Sequence, residues 1–252
     1  PYLTDPNTLN EVTDNTAELE HRPLMSLLYQ AWQLGAAAIS ARVQTDLTAE
    51  KLVQAPAEHR GQIILIKGQL ADVPISKDFE PSPENLFLSI YQCTILDEKF
   101  QRYAVLSIEE PTGFMSGDAV QVAALFMKLG ESQPGSAQRP PIIAVTFSLG
   151  APAYLEDPKT VEQALDFDYT VSERARWYAL QQLDKLGYQE LRKRTQAITN
   201  ELYRDILSSP ETHKGQLVSV EGSLLRVESL SQPPNPLAVD TLYRAYVLSG
   251  AE

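Results

Sequence analysis

The chain has 252 residues, of which 43% are hydrophobic, and its 33 acidic and 21 basic residues give a formal charge of −12. This is the composition of a globular protein of one or two domains, which excludes wholesale disorder and collagen-like structure. The negative charge argues against a general binder of the phosphate backbone, because such proteins need clustered Lys and Arg. A single cysteine, Cys93, excludes an internal disulfide framework and a multi-cysteine zinc site.

The first residues suggest a trimmed or mature chain. It begins at Pro1 rather than Met, and removal of a leader or anchor is one reason for such a start, cloning convenience another. No apolar run approaches the roughly 18 residues that span a bilayer. Residues 1–20 hold five acidic side chains and no Lys or Arg, so residues 1–21 are predicted to form an acidic N-terminal tail.

A helical segment is predicted next. Its apolar side chains recur every three or four residues, which is the period of an amphipathic helix. They are Leu24, Leu27, Leu28, Leu34, Ile39, Val43 and Leu47. A short turn with Leu52 and Val53 then leads to Pro56.

Five strands are predicted after this helical segment. Residues 61–70 alternate, with Ile64 and Ile66 on one face and Lys67 on the other. Further strands are predicted at 86–96, 100–108, 119–129 and 142–149, with a turn at 97–99 and a Gly/Ser/Pro loop at 130–141. Gly68 lies inside the first strand and permits the close bend of a small barrel. Residues 22–150 therefore form one predicted unit.

An internal repeat is the main signal in the sequence. Residues 56–70 recur without a gap at residues 210–224. The shared positions are Pro56, His59, Gly61, Gln62, Gly68 and Leu70, which recur as Pro210, His213, Gly215, Gln216, Gly222 and Leu224. Further upstream, Gly35 aligns with Gly187. The fold class predicted from this repeat is α+β, a helical segment followed by a small five-stranded barrel, present in tandem.

The second unit, residues 171–252, follows a linker predicted at 151–170. Ser172 is a plausible N-cap, Gly187 separates two helices or kinks one, and Pro210 ends the helical part. An apolar stripe follows Leu191, Thr195, Ile198, Leu202 and Ile206.

Only two strands follow in this unit, at 215–227 and 241–248, on either side of a Pro-rich loop at 231–236. Compared with the first unit, about fifty residues are missing. Two strands cannot close a barrel, so we expect the second barrel to be incomplete. Either residues have been cut, so that 252 is the length of a fragment, or something else pairs with the exposed strand edges.

Residues 59–149 resemble an OB-fold. Gly61 and Gly68 in the first strand and the Ser116–Val122 segment that opens the fourth carry the resemblance. The whole helix-plus-barrel unit resembles uncharacterised, often membrane-anchored proteins of planctomycete-type bacteria. This resemblance implies a cell-envelope or exported protein, with any membrane contact through an anchor outside this chain. A cytoplasmic location is the alternative, and an SH3-like barrel is the lesser structural alternative.

His59 and His213, which occupy equivalent positions in the repeat, are the strongest candidates for a chemical role. One interpretation is a metal or ligand contact in each repeat. We prefer a structural role in the loop before the first strand, because no second His or Cys lies near either residue in sequence. The repeated glycines, Gly61, Gly68, Gly215 and Gly222, are assigned the same structural role.

Other candidates also favour a structural interpretation. The basic run 192–194 suggests contact with nucleic acid or acidic lipid. The helical segment 173–205 has seven basic and five acidic residues, however, and this near balance favours a solvent-exposed helix face. The acidic pairs 97–98 and 109–110 flank turns, and Cys93 lies in mid-strand, where a buried inert thiol is expected. No nucleophile, phosphate-loop, dinucleotide or zinc-protease motif occurs. We therefore predict no catalytic residue, metal site or cofactor.

Barrels of the OB type often bind ligands through aromatic side chains on their second and third strands. Phe87, Tyr91 and Tyr103 are the candidates, although aromatic residues on such strands more often belong to the core. The repeat supplies a comparison, because outward Lys67 becomes Glu221 whereas inward Ile64 becomes Val218. The two copies share their core face and differ on the outer face.

The sequence therefore favours a non-enzymatic scaffold or protein-interaction module of a bacterial envelope protein. The expected partner is another protein, or a second copy bound through the unfinished barrel. The alternative is a ligand-binding OB module for single-stranded nucleic acid or an oligosaccharide. The net charge disfavours nucleic acid.

Overall fold

The computed structural model describes residues 2–80, 85–132, 139–163, 172–233 and 235–248. The chain divides into two compact units, Pro1–Pro152 and Ala153–Glu252. In the described ranges the fold is mixed α+β, as predicted, with five α-helices and a six-stranded sheet. No helix in those ranges combines the length and apolar character that crossing a bilayer requires.

The N-terminal segment begins with two 3-10 turns, Tyr2–Thr4 and Pro6–Glu11. One of its acidic side chains, Asp14, bonds to the body of the first unit. The Asp14 carboxylate accepts a hydrogen bond from the Leu129 N–H (2.9 Å) and forms an ion pair with Arg60. The Asn15 N–H donates to the Leu129 carbonyl (2.9 Å). These bonds attach residues 14 and 15 to the end of the longest strand.

Three helices follow this segment. Helix α1 (His21–Ala41) is kinked at Gly35, where φ is 68° and ψ is 166°. Helix α2 (Ala49–Gln54) lies where only a turn was predicted, and the Thr48 hydroxyl caps its start by accepting from the Lys51 N–H. Helix α3 (Pro56–His59) is a single turn with proline at its first position.

The sheet of the first unit has six strands. They are β1 (Ile63–Leu70), β2 (Ile75–Asp78), β3 (Ser89–Leu96), β4 (Arg102–Ser107), β5 (Ala119–Leu129) and β6 (Ile142–Thr146). The order is β1-β5-β6-β4-β3-β2, and β1 also pairs with β3. Strands β1, β5, β6, β4 and β3 therefore form a closed circuit, in which each strand pairs with the next and β3 pairs with β1. All pairs are antiparallel except β4 with β6. Strand β2, which was not predicted, lies at the edge.

The segment that carried the OB resemblance joins β5 to β1. The Gly117 N–H donates to the Leu70 carbonyl (2.7 Å), and the Leu70 N–H donates to the Asp118 carbonyl (2.8 Å). Gly117 has φ of 87°, a conformation that favours glycine. At Gly68, a β-carbon would collide with the Leu96 carbonyl oxygen, so glycine allows β1 and β3 to approach each other.

Two hydrophobic cores lie on opposite sides of this sheet. The inner core collects alternate residues of β1, β3, β4 and β5 around Ile66, Ile95 and Phe126, with Leu52 of α2 packed against them. The outer core places Leu24, Leu27 and other residues of α1 over the opposite faces of the strands. Strand β5 is consequently buried on both faces over most of its length.

The second unit begins with 3-10 turns at Ala153–Leu155 and Pro158–Gln163, within the segment predicted as a linker, of which 164–170 lie outside the described residues. Helix α4 (Glu173–Arg194) starts at the Ser172 cap, as predicted, and is kinked at Gly187. Strand β7 (Gln196–Ala197), helix α5 (Asn200–Ser208), a 3-10 turn at Pro210–Thr212 and strand β8 (Val218–Ser219) follow.

A hairpin completes the described part of the second unit. Strand β9 (Ser223–Ser231) pairs antiparallel with β10 (Thr241–Leu248), and β8 pairs in parallel with β7. The strand predicted over 215–227 is thus divided between β8 and β9. Tyr154, Leu155 and Trp177 form a small core, against which Leu180, Leu237 and Leu242 pack.

Candidate functional site

The repeated residues adopt the same local conformation in both units. The His59 ring contacts the Gln62 side chain (3.2 Å), and the His213 ring contacts the Gln216 side chain (3.0 Å). The two glutamine amides each donate to the main-chain carbonyl four residues earlier, at 2.9 and 3.1 Å. Gly61 and Gly215 follow with φ of 77° and 82°. These histidines and glutamines therefore hold a turn ahead of the first strand.

The helices before this turn also correspond. Gly187, at φ 67° and ψ 160°, repeats the kink at Gly35. The Gln44 N–H donates to the Ile63 carbonyl (2.9 Å), and the Gln196 N–H donates to the Leu217 carbonyl (3.0 Å). Equivalent groups thus join the helical part to the first strand in both units.

The strand register corresponds as well. In the first unit Gln69 pairs with Leu96 and Leu70 with Ile95. In the second unit the equivalent pairs are Ser223 with Leu248 and Leu224 with Val247. Strands β3 and β10 match in apolar pattern at an offset of 152. Their sequences are Ser-Ile-Tyr-Gln-Cys-Thr-Ile-Leu and Thr-Leu-Tyr-Arg-Ala-Tyr-Val-Leu. This signal was present in the sequence and was missed because each strand alone shows only common apolar residues.

The burial of equivalent residues differs sharply between the units. In the first unit Ile64, Ile66, Leu70, Cys93 and Ile95 line the inner core and are at most 2% exposed. Their counterparts in the second unit form what we call the open face, namely Val218, Val220, Leu224, Ala245 and Val247. The four large side chains of the open face are 37–62% exposed. An apolar face of this kind is typical of a binding surface.

The strand edges beside the open face have no neighbouring strand in the described part of the chain. In the first unit β3 pairs with β4 and β1 pairs with β5. In the second unit β10 pairs with β9 alone and β8 with β7 alone, as far as the described residues extend. The backbone N–H and C=O groups on such edges are available to another strand.

The three predicted ligand-face aromatics do not come together. Phe87 packs in the outer core, beside α1. Tyr103 lies in the inner core, only 8% exposed, and its hydroxyl donates to Asp97 at 3.4 Å. Tyr91 lies on the same inner face but four residue pairs further along β3, about 13 Å away at the usual strand rise. Burial, followed by the nearby Glu110 carboxylate, raises the pKa of Tyr91.

A cavity of about 290 Å³ lies on the outer face of β3 and β4 in the first unit. Gln92, Thr94 and Arg102 line it from these strands, and Glu131 lines it from the loop after β5. One basic and one acidic side chain face it, and its lining, within the described residues, includes no aromatic ring on which a base or sugar could stack.

The remaining candidates have structural surroundings. Cys93 is buried, and burial raises its thiol pKa to about 12, so the thiol stays protonated and unreactive at neutral pH. Lys193 and Arg194 pair with Glu190 on the exposed side of α4, at 2.8 and 3.7 Å. The Asp97 carboxylate accepts from the N–H groups of Lys99 and Gln101, which closes the β3–β4 turn. The described residues contain no group of three or more potential metal ligands.

Comparison with protein-family models, curated proteins and solved structures finds no match for this chain.

Proposed function

We propose that the chain is a non-enzymatic protein-interaction module built from two copies of one helix-plus-barrel unit, of which the second is left open. The single observation that carries this proposal is the contrast in burial between equivalent apolar positions. The same pattern that fills a core in the first unit faces solvent in the second. A face of this composition is stabilised when another polypeptide covers it.

The barrel interpretation draws on the strand pairing of the first unit. Strands β1, β3, β4, β6 and β5 form a closed circuit of neighbours in which β4 and β6 alone are parallel. A five-stranded Greek-key barrel of the OB type has this kind of closure. The matching registers of β1–β3 and β9–β10 support the inference that the second unit contains the opening strands of the same barrel.

The proposed mode of binding is strand addition. In the first unit β4 pairs antiparallel with β3, from Arg102 to Ser107. A partner strand would occupy the same position beside β10, where main-chain hydrogen bonds give affinity and alternate side chains give specificity. Fully burying a Val or Leu side chain contributes about 1.5–3 kcal/mol, so covering half-exposed ones would contribute about 1 kcal/mol each.

A labelled synthetic peptide with the sequence of residues 100–108 tests this proposal, because that segment contains β4. We expect saturable binding to the full chain by fluorescence anisotropy, with slower hydrogen exchange at β10 and unchanged exchange at β2. A peptide of the same composition in scrambled order is the matched control. Equal binding of the two peptides, or no protection of β10, would contradict the proposal.

The cell envelope remains the proposed location, on the sequence resemblance alone. Fractionation of the source cells with an antibody against this chain tests it. Recovery in the soluble cytoplasmic fraction would contradict it.

A ligand-binding role in the first unit is the second candidate, and the cavity beside Gln92 and Arg102 is the observation that favours it. An oligosaccharide suits the mixed polar lining better than a nucleic acid, given the chain charge of −12. Titration with a neutral oligosaccharide panel and with single-stranded DNA at low salt distinguishes the two ligands. We expect Arg102→Ala to abolish any oligosaccharide binding, and no binding in either titration would remove this candidate.

A further inference from the structure

We propose that the strand partner of β10 is β10 of a second copy of this chain, paired antiparallel about a two-fold axis that passes midway between the Ala245 residues of the two copies. This inference rests on the proposed function, because it names the strand that would pair with the edge of β10. It requires no residue outside the described part of the chain.

Symmetry limits the possible registers. Two identical strands pair antiparallel only about an axis perpendicular to the sheet, and such an axis keeps the same face of both strands on the same side. Odd-numbered residues then lie opposite odd-numbered residues, and even opposite even. One residue therefore lies opposite its own copy, and the axis passes midway between the two. Within Thr241–Leu248, only axes at Arg244 and Ala245 pair as many as seven residues of each strand.

Charge selects between these two registers. Arg244 is the one charged residue of β10. An axis at Arg244 places the two guanidinium groups directly opposite each other, which destabilises the pair. An axis at Ala245 instead places each Arg244 opposite Tyr246 of the other copy, where the cation can lie against the aromatic ring.

The other side-chain pairs in this register are also compatible. Leu242 lies opposite Leu248, and Tyr243 lies opposite Val247, so every remaining pair is apolar or aromatic. The two open faces fall on the same side of the joined sheet. Pairing therefore removes the free edges of both β10 strands and extends one apolar surface across the dimer.

The edge of the first unit explains why that unit should not associate in the same way. Strand β2 is only four residues long and includes the charged residues Lys77 and Asp78. Short and charged edges resist edge-to-edge pairing. Strand β10 is twice as long and carries a single charge.

Charge substitutions at Ala245 test the register. Ala245 is exposed, so lysine or aspartate should be accepted without loss of folding, which circular dichroism checks. Analytical ultracentrifugation of the full chain should show a monomer–dimer equilibrium. Ala245→Lys and Ala245→Asp should each be monomeric at concentrations where the wild type is dimeric, because like charges then meet at the axis. An equimolar mixture of the two variants should recover the dimer.

The matched control is Ile75→Lys, which places a lysine on the exposed edge strand of the first unit. It should leave the dimer unchanged. A wild type that stays monomeric at all concentrations overturns the inference, as does dimerisation of either Ala245 variant alone or a mixture that remains monomeric.

The outcome is separable from that of the proposed function. A monomeric chain whose β10 is protected by the residue 100–108 peptide would keep strand addition and overturn the second copy as its partner. If the chain neither dimerises nor binds the peptide, both strand addition and the second copy as its partner are overturned. If both occur, the peptide should lower the dimer fraction, because the two partners compete for one edge.

Discussion

The two units place similar sequences in different surroundings. Ile66 and Val220 occupy the same place in the repeat, yet Ile66 is fully buried and Val220 is half exposed. The local turn, the helix kink and the strand register agree between the units, so local sequence accounts for those features. The difference lies in the strands β4, β5 and β6, which cover Ile66 and have no counterpart over Val220 in the described residues.

An apolar pattern specifies which residues share a face but not whether that face is buried. Strand β5 lies against β1 over seven residue pairs, from Ile63–Leu125 to Gln69–Ala119. Those contacts join segments about 55 residues apart in the chain. Without such contacts the equivalent face of the second unit stays exposed.

The largest expected effect is on stability, from truncating two equivalent apolar positions of which one is buried and one is exposed. Ile66→Ala should lower the free energy of unfolding by about 4 kcal/mol, because it creates a cavity at a fully buried site. Val220→Ala should change it by less than about 0.5 kcal/mol, since that side chain is half exposed. Urea denaturation followed by circular dichroism measures both. Equal losses of stability would show that the open face is covered in solution.

The second prediction concerns the buried lysine of the first unit. Lys128 is fully buried, and its ammonium group donates to the Thr16 hydroxyl (2.8 Å), the Glu18 carbonyl (2.7 Å) and the Glu20 carboxylate (3.2 Å). Lys128→Met should cost about 2 kcal/mol, because it leaves these partners without their donor. The matched control is Lys193→Met, where an exposed pair with Glu190 is worth less than about 0.5 kcal/mol. Similar losses in the two variants would argue against the buried network.

The third prediction is an acid dependence that belongs to the same network. Burial opposes ionisation of Glu20, but hydrogen bonds from the N–H groups of Thr13 and Glu20 and from Lys128 outweigh it and lower its pKa below the ordinary 4.5. A lowered folded pKa contributes stability above the unfolded value, and this stability is lost as the pH falls through the folded pKa. Urea midpoints between pH 6 and 3 should fall, and Glu20→Gln should reduce the fall. An identical acid dependence in this variant would contradict the assignment.

The smallest effect is expected at His213, whose ring contacts Asp205 as well as Gln216. The hydrogen bond with Gln216, followed by hydrogen bonding and attraction from Asp205 (2.9 Å), raises the His213 pKa above the ordinary 6.5. The stability that this contributes is present below pH 6.5 and is lost as the pH rises through the folded pKa. Titration of the histidine NMR signals should show the raised value, and Asp205→Asn should lower it. A His213 pKa that Asp205→Asn leaves unchanged would assign the shift to other groups.

Several elements were predictable from local sequence. The strand 119–129 has the predicted bounds, Ser172 caps its helix and Gly187 kinks it. These features depend on glycine conformation, capping chemistry and strand periodicity, which act over a few residues. The candidate site was partly predictable, because the unfinished second barrel was expected from the repeat. The match between β3 and β10 is present in the sequence, but its apolar pattern is too common to be recognised without their pairing registers.

Other features followed no local signal. Strand β2 is too short and too polar to show a period, and it pairs only because β3 lies beside it. A lysine in a strand usually marks a solvated face, yet Lys128 is buried because the N-terminal segment folds over it. Tyr103 was a candidate for ligand contact and lies in the core because its strand faces inward at that position.

Residue type and spacing decided which positions of both units are apolar, where the chain turns and which helices are capped, because these depend on neighbours within one or two turns of chain. The tertiary structure decided which apolar positions are covered. Coverage requires strands from distant segments to lie alongside, and that arrangement buries Ile66 and leaves Val220 half exposed. Equivalent apolar positions thus lie in a core in the first unit and face solvent in the second, according to what the rest of the chain packs against them.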